Sequence, residues 1–196
     1  HYYCGAKGAD LDSVRCDLKA AIQSGHHLNI EQTSIVFPRN QVESQFLEVC
    51  REQKLLCFRG NQTSWIYRTP ERRLPGRILR LLDSYINLSG PNCQAWTATR
   101  HQSGMTNIRA SAMLRPHRPR LPWLDRLQLR RIRQAMTHAA QKNKIYHLWW
   151  HPHNFGENLP QNLKNLEHIL QIYRELAETY GMVSQTMREA AQCSVT

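Results

Sequence analysis

Apolar residues in this chain form short runs separated by longer stretches with helical spacing. "SIVF", from Ser34 to Phe37, is a short apolar run closed by Pro38 and predicts a buried strand. The next segment, "QVESQFLEVCREQ", places Val42, Phe46, Val49 and Cys50 at helical intervals, and "KLLCFRG" predicts a second strand closed by Gly60. Together they make a strand, helix, strand unit. In "GRILRLLDSYINLSG", Ile78, Leu81, Leu82, Tyr85 and Ile86 share a helical face and Gly90 is a stop signal. "PNCQAWTATRHQSGMTNIRASAM" has turn residues and β-branched residues without a period, which predicts loops and short strands.

From Pro122 to Lys142 the pattern predicts a basic amphipathic helix with Leu124, Leu127, Ile132 and Met136 among its apolar positions. "KIYHLWW" then reads as a buried strand ended by Pro152. The clearest helical period follows, with Leu159, Leu163, Leu166, Ile169, Leu170, Tyr173 and Leu176 at three- and four-residue steps and Gly181 at the stop. "MVSQTMREAAQ" predicts a last short strand and a helical turn. This alternation points to the α/β class. With no repeat, low-complexity tract or Gly/Ser linker to divide it, the chain reads as a single domain over residues 1–196.

Charge adds a question about partners. Lys and Arg number 26 against 15 Asp and Glu, giving a net charge of +11, and arginine concentrates in "RTPERRLPGRILR" and "RPHRPRLPWLDRLQLRRIR". Such a balance permits a polyanionic partner, although a solvated basic face is the more ordinary explanation. Nucleic acid is disfavoured, because no reading motif and no interleaved exposed aromatics accompany the arginines. No apolar window is long enough for a transmembrane span. The six cysteines lack a CxxC pair and read as reduced packing thiols, which favours a cytoplasmic setting. The opening His-Tyr-Tyr-Cys, with no charged and apolar leader before it, suggests a chain cut upstream rather than a signal peptide.

Candidate chemistry concentrates in "HLWWHPHNFG". On an extended chain His151 and His153 point the same way and could share a metal, but two ligands do not make a site. At the end of a buried strand His151 would also sit where α/β folds place acid and base groups. Spacing alone leaves a core histidine, bonded to backbone, slightly ahead. Trp149 and Trp150 alternate faces, so one can pack in the core while the other offers a stacking surface to a sugar. Arg39 follows the first strand and could hold a carboxylate through a bidentate pair, or be an ordinary surface arginine. His26, His27 and His138 read as structural or surface residues. The absence of a GxSxG elbow, phosphate loop, HExxH or Gly-rich dinucleotide fingerprint leaves metal-assisted or acid–base chemistry, or none.

Taken in order, "SIVFPRNQV", "CFRGNQTSWIYR", "LLDSYINLSG", "RRIRQAMTHAAQKN", "HLWWHPHNFGENLPQNL" and "GMVSQTM" resemble the C-terminal part of a polysaccharide deacetylase of the NodB-homology type, from His1 to about Glu189. The resemblance implies a partial distorted (β/α) barrel whose N-terminal strands are missing. It implies hydrolysis of an N-acetyl or O-acetyl group on a sugar of a cell-surface polysaccharide or its lipid-linked precursor. The cofactor implied is a divalent metal, zinc or cobalt, with most ligands outside this chain and His1 as the second histidine of a His-Ser/Thr-x-x-His motif. His151 falls on the family's proton donor. Pro38 and Arg39 fall at its Arg-Pro-Pro-Tyr segment in a different order, with Arg39 as the counterpart of the family's arginine. Trp65, Trp149, Trp150 and Asn154 fall along the substrate groove.

The partner implied is a carbohydrate. The setting is cytoplasmic, membrane-peripheral or the cell envelope, and no oligomeric state is indicated. A barrel short of its first strands and most metal ligands would be inactive and poorly stable alone. Two rivals stand beside this reading. One is an amidohydrolase-like enzyme using His151 and His153 as an HxH metal pair, and the other is a non-catalytic basic module for an acidic glycan or nucleic acid.

Overall fold

The computed structural model describes residues 10–68 and 74–193, and all of their side chains but that of Arg39. These residues fall into two compact units, each assembled from separate stretches of chain.

The first unit begins with α1 (Leu11–His27), a helix capped by Asp10, whose Oδ1 accepts from the Ser13 amide at 2.6 Å. Asp12 in its first turn and His26 and His27 in its last suit the helix dipole. β1 (Ser34–Ile35), α2 (Ser44–Glu52) and β2 (Cys57–Phe58) follow, then β3 (Thr106–Asn107) and α7 (Met187–Cys193). β1, β2 and β3 pair in parallel in that order, with Ser34 opposite Cys57 and Cys57 opposite Thr106. Phe46, Leu47, Val49 and Cys50 of α2 close over Val14, Phe37, Leu55, Phe58 and Met105. Each such burial contributes roughly 1.5–3 kcal/mol for a large side chain.

The second unit holds α3 (Trp65–Arg68), α4 (Leu74–Asp83), β4 (Ala112–Met113), α5 (Trp123–Gln141), β5 (Leu148–Trp149) and α6 (Leu159–Tyr180). α5 packs on α6 around Leu114, Ile132, Met136, Ile169, Ile172 and Leu176. β4 and β5 form a separate parallel pair. Gly181, at φ 69°, ends α6 in the left-handed conformation that glycine adopts without steric cost.

The barrel expected from the sequence is not formed. Helix accounts for 54% of the structure, and the five strands among the described residues are two residues each, in one three-stranded and one two-stranded sheet. Ladders that short carry too few inter-strand bonds to close a barrel with tilted, staggered strands. Three local expectations change for identifiable reasons. "KIYHLWW" yields only Leu148–Trp149 as strand, with Ile145 in an isolated antiparallel bridge to Gln94. Residues 181–186 form no strand; Val183 is exposed, and the Ser184 amide donates to the Tyr173 hydroxyl instead. Along α6 the buried face is Asn162, Asn165, Ile169, Ile172 and Leu176, which leaves Leu159, Leu163 and Leu170 outside.

α4 ends at Asp83 because the Asp83 carboxylate folds back onto the next turn. Its Oδ1 accepts from the Leu88 and Ser89 amides at 3.0 and 2.8 Å. Its Oδ2 accepts from Ser89 Oγ at 2.7 Å, Arg131 Nη2 at 2.7 Å and the Tyr67 hydroxyl at 3.1 Å. Arg131 Nε also donates to the Asp83 carbonyl. The buried ion pair therefore joins α3, α4 and α5, with the carboxylate fully satisfied.

Candidate functional site

The second unit carries an open groove of about 610 Å³, lined on one side by Pro116–Leu121 and on the other by His153, Asn154, Glu157 and Asn158. Two local structures create it. The proline-rich turn "RPHRPRLP" cannot continue a ladder and leads into α5, while Pro152 turns the chain from β5 into a 3-10 turn over Pro152–Phe155. Asn162 of α6 ties the two sides together. Its Oδ1 accepts from the His117 amide at 2.7 Å, and its Nδ2 donates to the Glu157 carbonyl at 2.7 Å and the Asn154 carbonyl at 3.4 Å.

Within the groove His117 Nδ1 lies 2.6 Å from Asp125 Oδ2, and both side chains are largely buried. Asp125 sits in the first turn of α5, where the helix dipole favours a negative charge. Its bond to Nδ1 fixes the plane of the imidazole and leaves Nε2 as the ring atom available to a ligand. Arg118 and Arg120 flank this pair as exposed cations, and Glu157 stands among the lining residues opposite.

The histidine-rich segment is arranged as a row of rings. Trp149 meets His151 edge-on, with centroids 5.2 Å apart, and His151 stacks on His153 at 5.1 Å with 17° between planes. His151 is exposed at the end of β5, and its carbonyl accepts from the Asn154 amide at 2.9 Å. Trp150 leans on Phe155, with centroids 5.7 Å apart, and is partly open to solvent.

Of the residues singled out from the sequence, the structure brings His151, His153, Trp149 and Asn154 into one neighbourhood, with His153 and Asn154 lining the groove. Trp65 is exposed on α3 and is not among the groove-lining residues. Arg39 lies in the 3-10 turn Pro38–Asn40 of the first unit, and its side chain is outside what the structure describes. His1 also lies outside the described residues. The sequence pattern did not point to His117, Asp125 or Asn162. The one available signal was the proline-bracketed His117 shortly before an aspartate in a helix's first turn.

Near Arg39, the arginine whose side chain is seen is Arg59, at the end of β2. Its Nε and Nη2 donate to Asn40 Oδ1 at 3.1 and 2.8 Å, and Asn40 is held at φ 53°. Burial lowers the pKa of the Arg59 guanidinium from its usual value. The following Gly60 permits close approach of Asn107; a Cβ there would come within 2.2 Å of Asn107 Oδ1.

The described residues supply no ligand set for a divalent metal. Among the described residues no three His, Cys, Asp or Glu side chains gather to hold one, and the stacked His151 and His153 supply at most two nitrogens where zinc takes three or four protein ligands. Among the described residues no helix is long and apolar enough to cross a membrane. The chain matches no protein-family model, no curated protein and no solved structure.

Proposed function

We propose that the chain takes part in hydrolytic deacetylation of an N-acetylated carbohydrate, with His151 giving a proton to the departing sugar amine. The observation that carries this reading is the groove itself. It gathers His153 and Asn154, beside His151, with a carboxylate-held His117, so that hydrogen-bonding and proton-transferring groups converge on one open cavity.

Each residue has a task that follows from its placement. His151 is solvent-facing and braced between Trp149 and His153, which restricts the ring without covering it. His117 Nε2 and the Asn154 side-chain amide offer donors and acceptors to sugar hydroxyls, and Trp150 offers a partly exposed ring face for stacking. A proton donor in this position accelerates amine departure by roughly 10²–10⁴-fold.

The test is acetate release from an N-acetylated oligosaccharide by the protein, with Zn²⁺ or Co²⁺ added, before and after His151→Ala. A loss of about a hundredfold with unchanged KM is expected. Full activity of His151→Ala, or no acetate release by the protein, would overturn the proposal. His153→Ala separates the amidohydrolase-like rival, since only that reading requires the substitution to abolish metal binding.

Arg118 and Arg120 at the groove favour a second reading, non-catalytic binding of an acidic glycan. Affinity for an acidic oligosaccharide that falls steeply with salt supports that reading, and salt-insensitive binding of a neutral N-acetylated one counts against it.

A further inference from the structure

α4 turns its apolar face outward. At about 100° per residue, Leu74, Ile78, Leu81 and Leu82 fall within about 100° of arc on one face. They are 66%, 48%, 39% and 43% exposed. The buried positions of the helix are Gly76 and Asp83, on the opposite face. Ile86 and Leu88 extend the exposed apolar strip past the helix end. Asp83 makes this orientation compulsory, because its bonds to Arg131, Tyr67, Leu88 and Ser89 require the carboxylate side to face inward.

Charge indicates what covers the strip. Arg77 borders it and is exposed, and the segment "RTPERRLPGRILR" carries five arginines against one glutamate within a chain of net charge +11. A second copy of the chain would set Arg77 and a net charge of +11 against their like, which costs rather than stabilises. An anionic bilayer surface complements both features, taking the leucines into its acyl boundary and Arg77 among its phosphates. Trp65, 59% exposed on α3, which packs on α4, is the residue type that anchors at such an interface.

We propose that α4 is an interfacial helix that docks its exposed Leu/Ile strip, bordered by arginine, on an anionic phospholipid surface. The proposal stands independently of the groove and its chemistry.

The experiment is co-sedimentation of the chain with phosphatidylcholine vesicles, with and without one-third phosphatidylglycerol. Binding to the anionic vesicles is expected, with weakening as salt rises. The double variant Ile78→Asp/Leu82→Asp should lose at least about tenfold in affinity. Leu170→Asp, an exposed apolar position on α6, should bind as the unaltered chain does. In hydrogen exchange on the unaltered chain, anionic vesicles should slow the amides of Leu74–Asp83. No binding to anionic vesicles, unchanged protection of α4, or a self-associated species in ultracentrifugation that the double variant dissolves would each overturn the proposal.

Discussion

Removing the Asp83 carboxylate tests the arrangement of the second unit most severely. The side chain is fully buried and accepts five hydrogen bonds, two from backbone amides, two from hydroxyls and one from a guanidinium that is itself buried. Asp83→Ala leaves the Arg131 cation without its counter-charge in the interior. Breaking one side of such a pair costs about 3–5 kcal/mol, a large share of the roughly 5–15 kcal/mol that a domain possesses. With a urea dependence of about 2 kcal/mol per molar, the midpoint should fall by about 2 M.

Arg131→Met alone should also be costly, whereas the double variant Asp83→Ala/Arg131→Met should be less destabilised than the sum, with a coupling of about 2 kcal/mol or more. The assay is urea unfolding followed by far-UV circular dichroism. A loss under about 1 kcal/mol for Asp83→Ala, or a coupling near zero, would refute the reasoning that this ion pair holds α4 to α5.

Other outcomes follow from burial. Cys50, Cys57 and Cys93 have thiols pushed up to about 11 by burial, so mass-mapped alkylation at neutral pH should label the exposed Cys16 and Cys193 well before these three. Tyr67 is pushed up to about 12, mainly by burial and then by the Asp83 charge. Its folded-state value exceeds the unfolded one, so its contribution to stability is complete below pH 10 and disappears between about pH 10 and 12; Tyr67→Phe should reduce that alkaline loss in urea titrations. The Tyr146 hydroxyl is buried with no hydrogen-bond partner among the described residues and its pKa is raised by desolvation, so Tyr146→Phe should leave stability unchanged or raise it by about 1 kcal/mol in the same assay.

Helical periods were legible where burial follows the hydrophobic stripe. Phe46, Val49 and Cys50 mark α2, and Ile132 and Met136 mark α5, in sequence and structure alike. α1 was not legible in that way because it buries only Val14 and Gly25, too few positions to generate a period. The barrel expectation failed at runs such as "KIYHLWW", where apolar density without alternation does not distinguish a strand from a partly buried loop. α6 misled more subtly. Asn162 occupies a core-facing position because its amide serves neighbouring segments, and Asn165, which accepts from Gln161 one turn earlier in the helix, shares that face; the buried face is thereby rotated away from three leucines.

At the site, histidine density drew attention to His151, His153 and Asn154, whereas the His117–Asp125 pair depends on how a proline-rich turn enters α5. Polar side chains that pair across a turn leave no periodic trace in a sequence.

The division into two units has a consequence for how the chain folds and how it can be cut. The first unit takes residues up to Asn61, Trp96–Arg109 and the residues from Gln185 onward, and the second takes Gln62–Ala95 and Ala110–Ser184. The chain therefore leaves and re-enters each unit, and no single contiguous excision yields either one intact. Loop closure for one unit requires that the intervening stretch of the other be tolerated while still unfolded, and this entropy grows only slowly with loop length. A protease nick between Asn61 and Gln62, or between Ala95 and Trp96, is thus expected to leave fragments that stay associated rather than two separable domains.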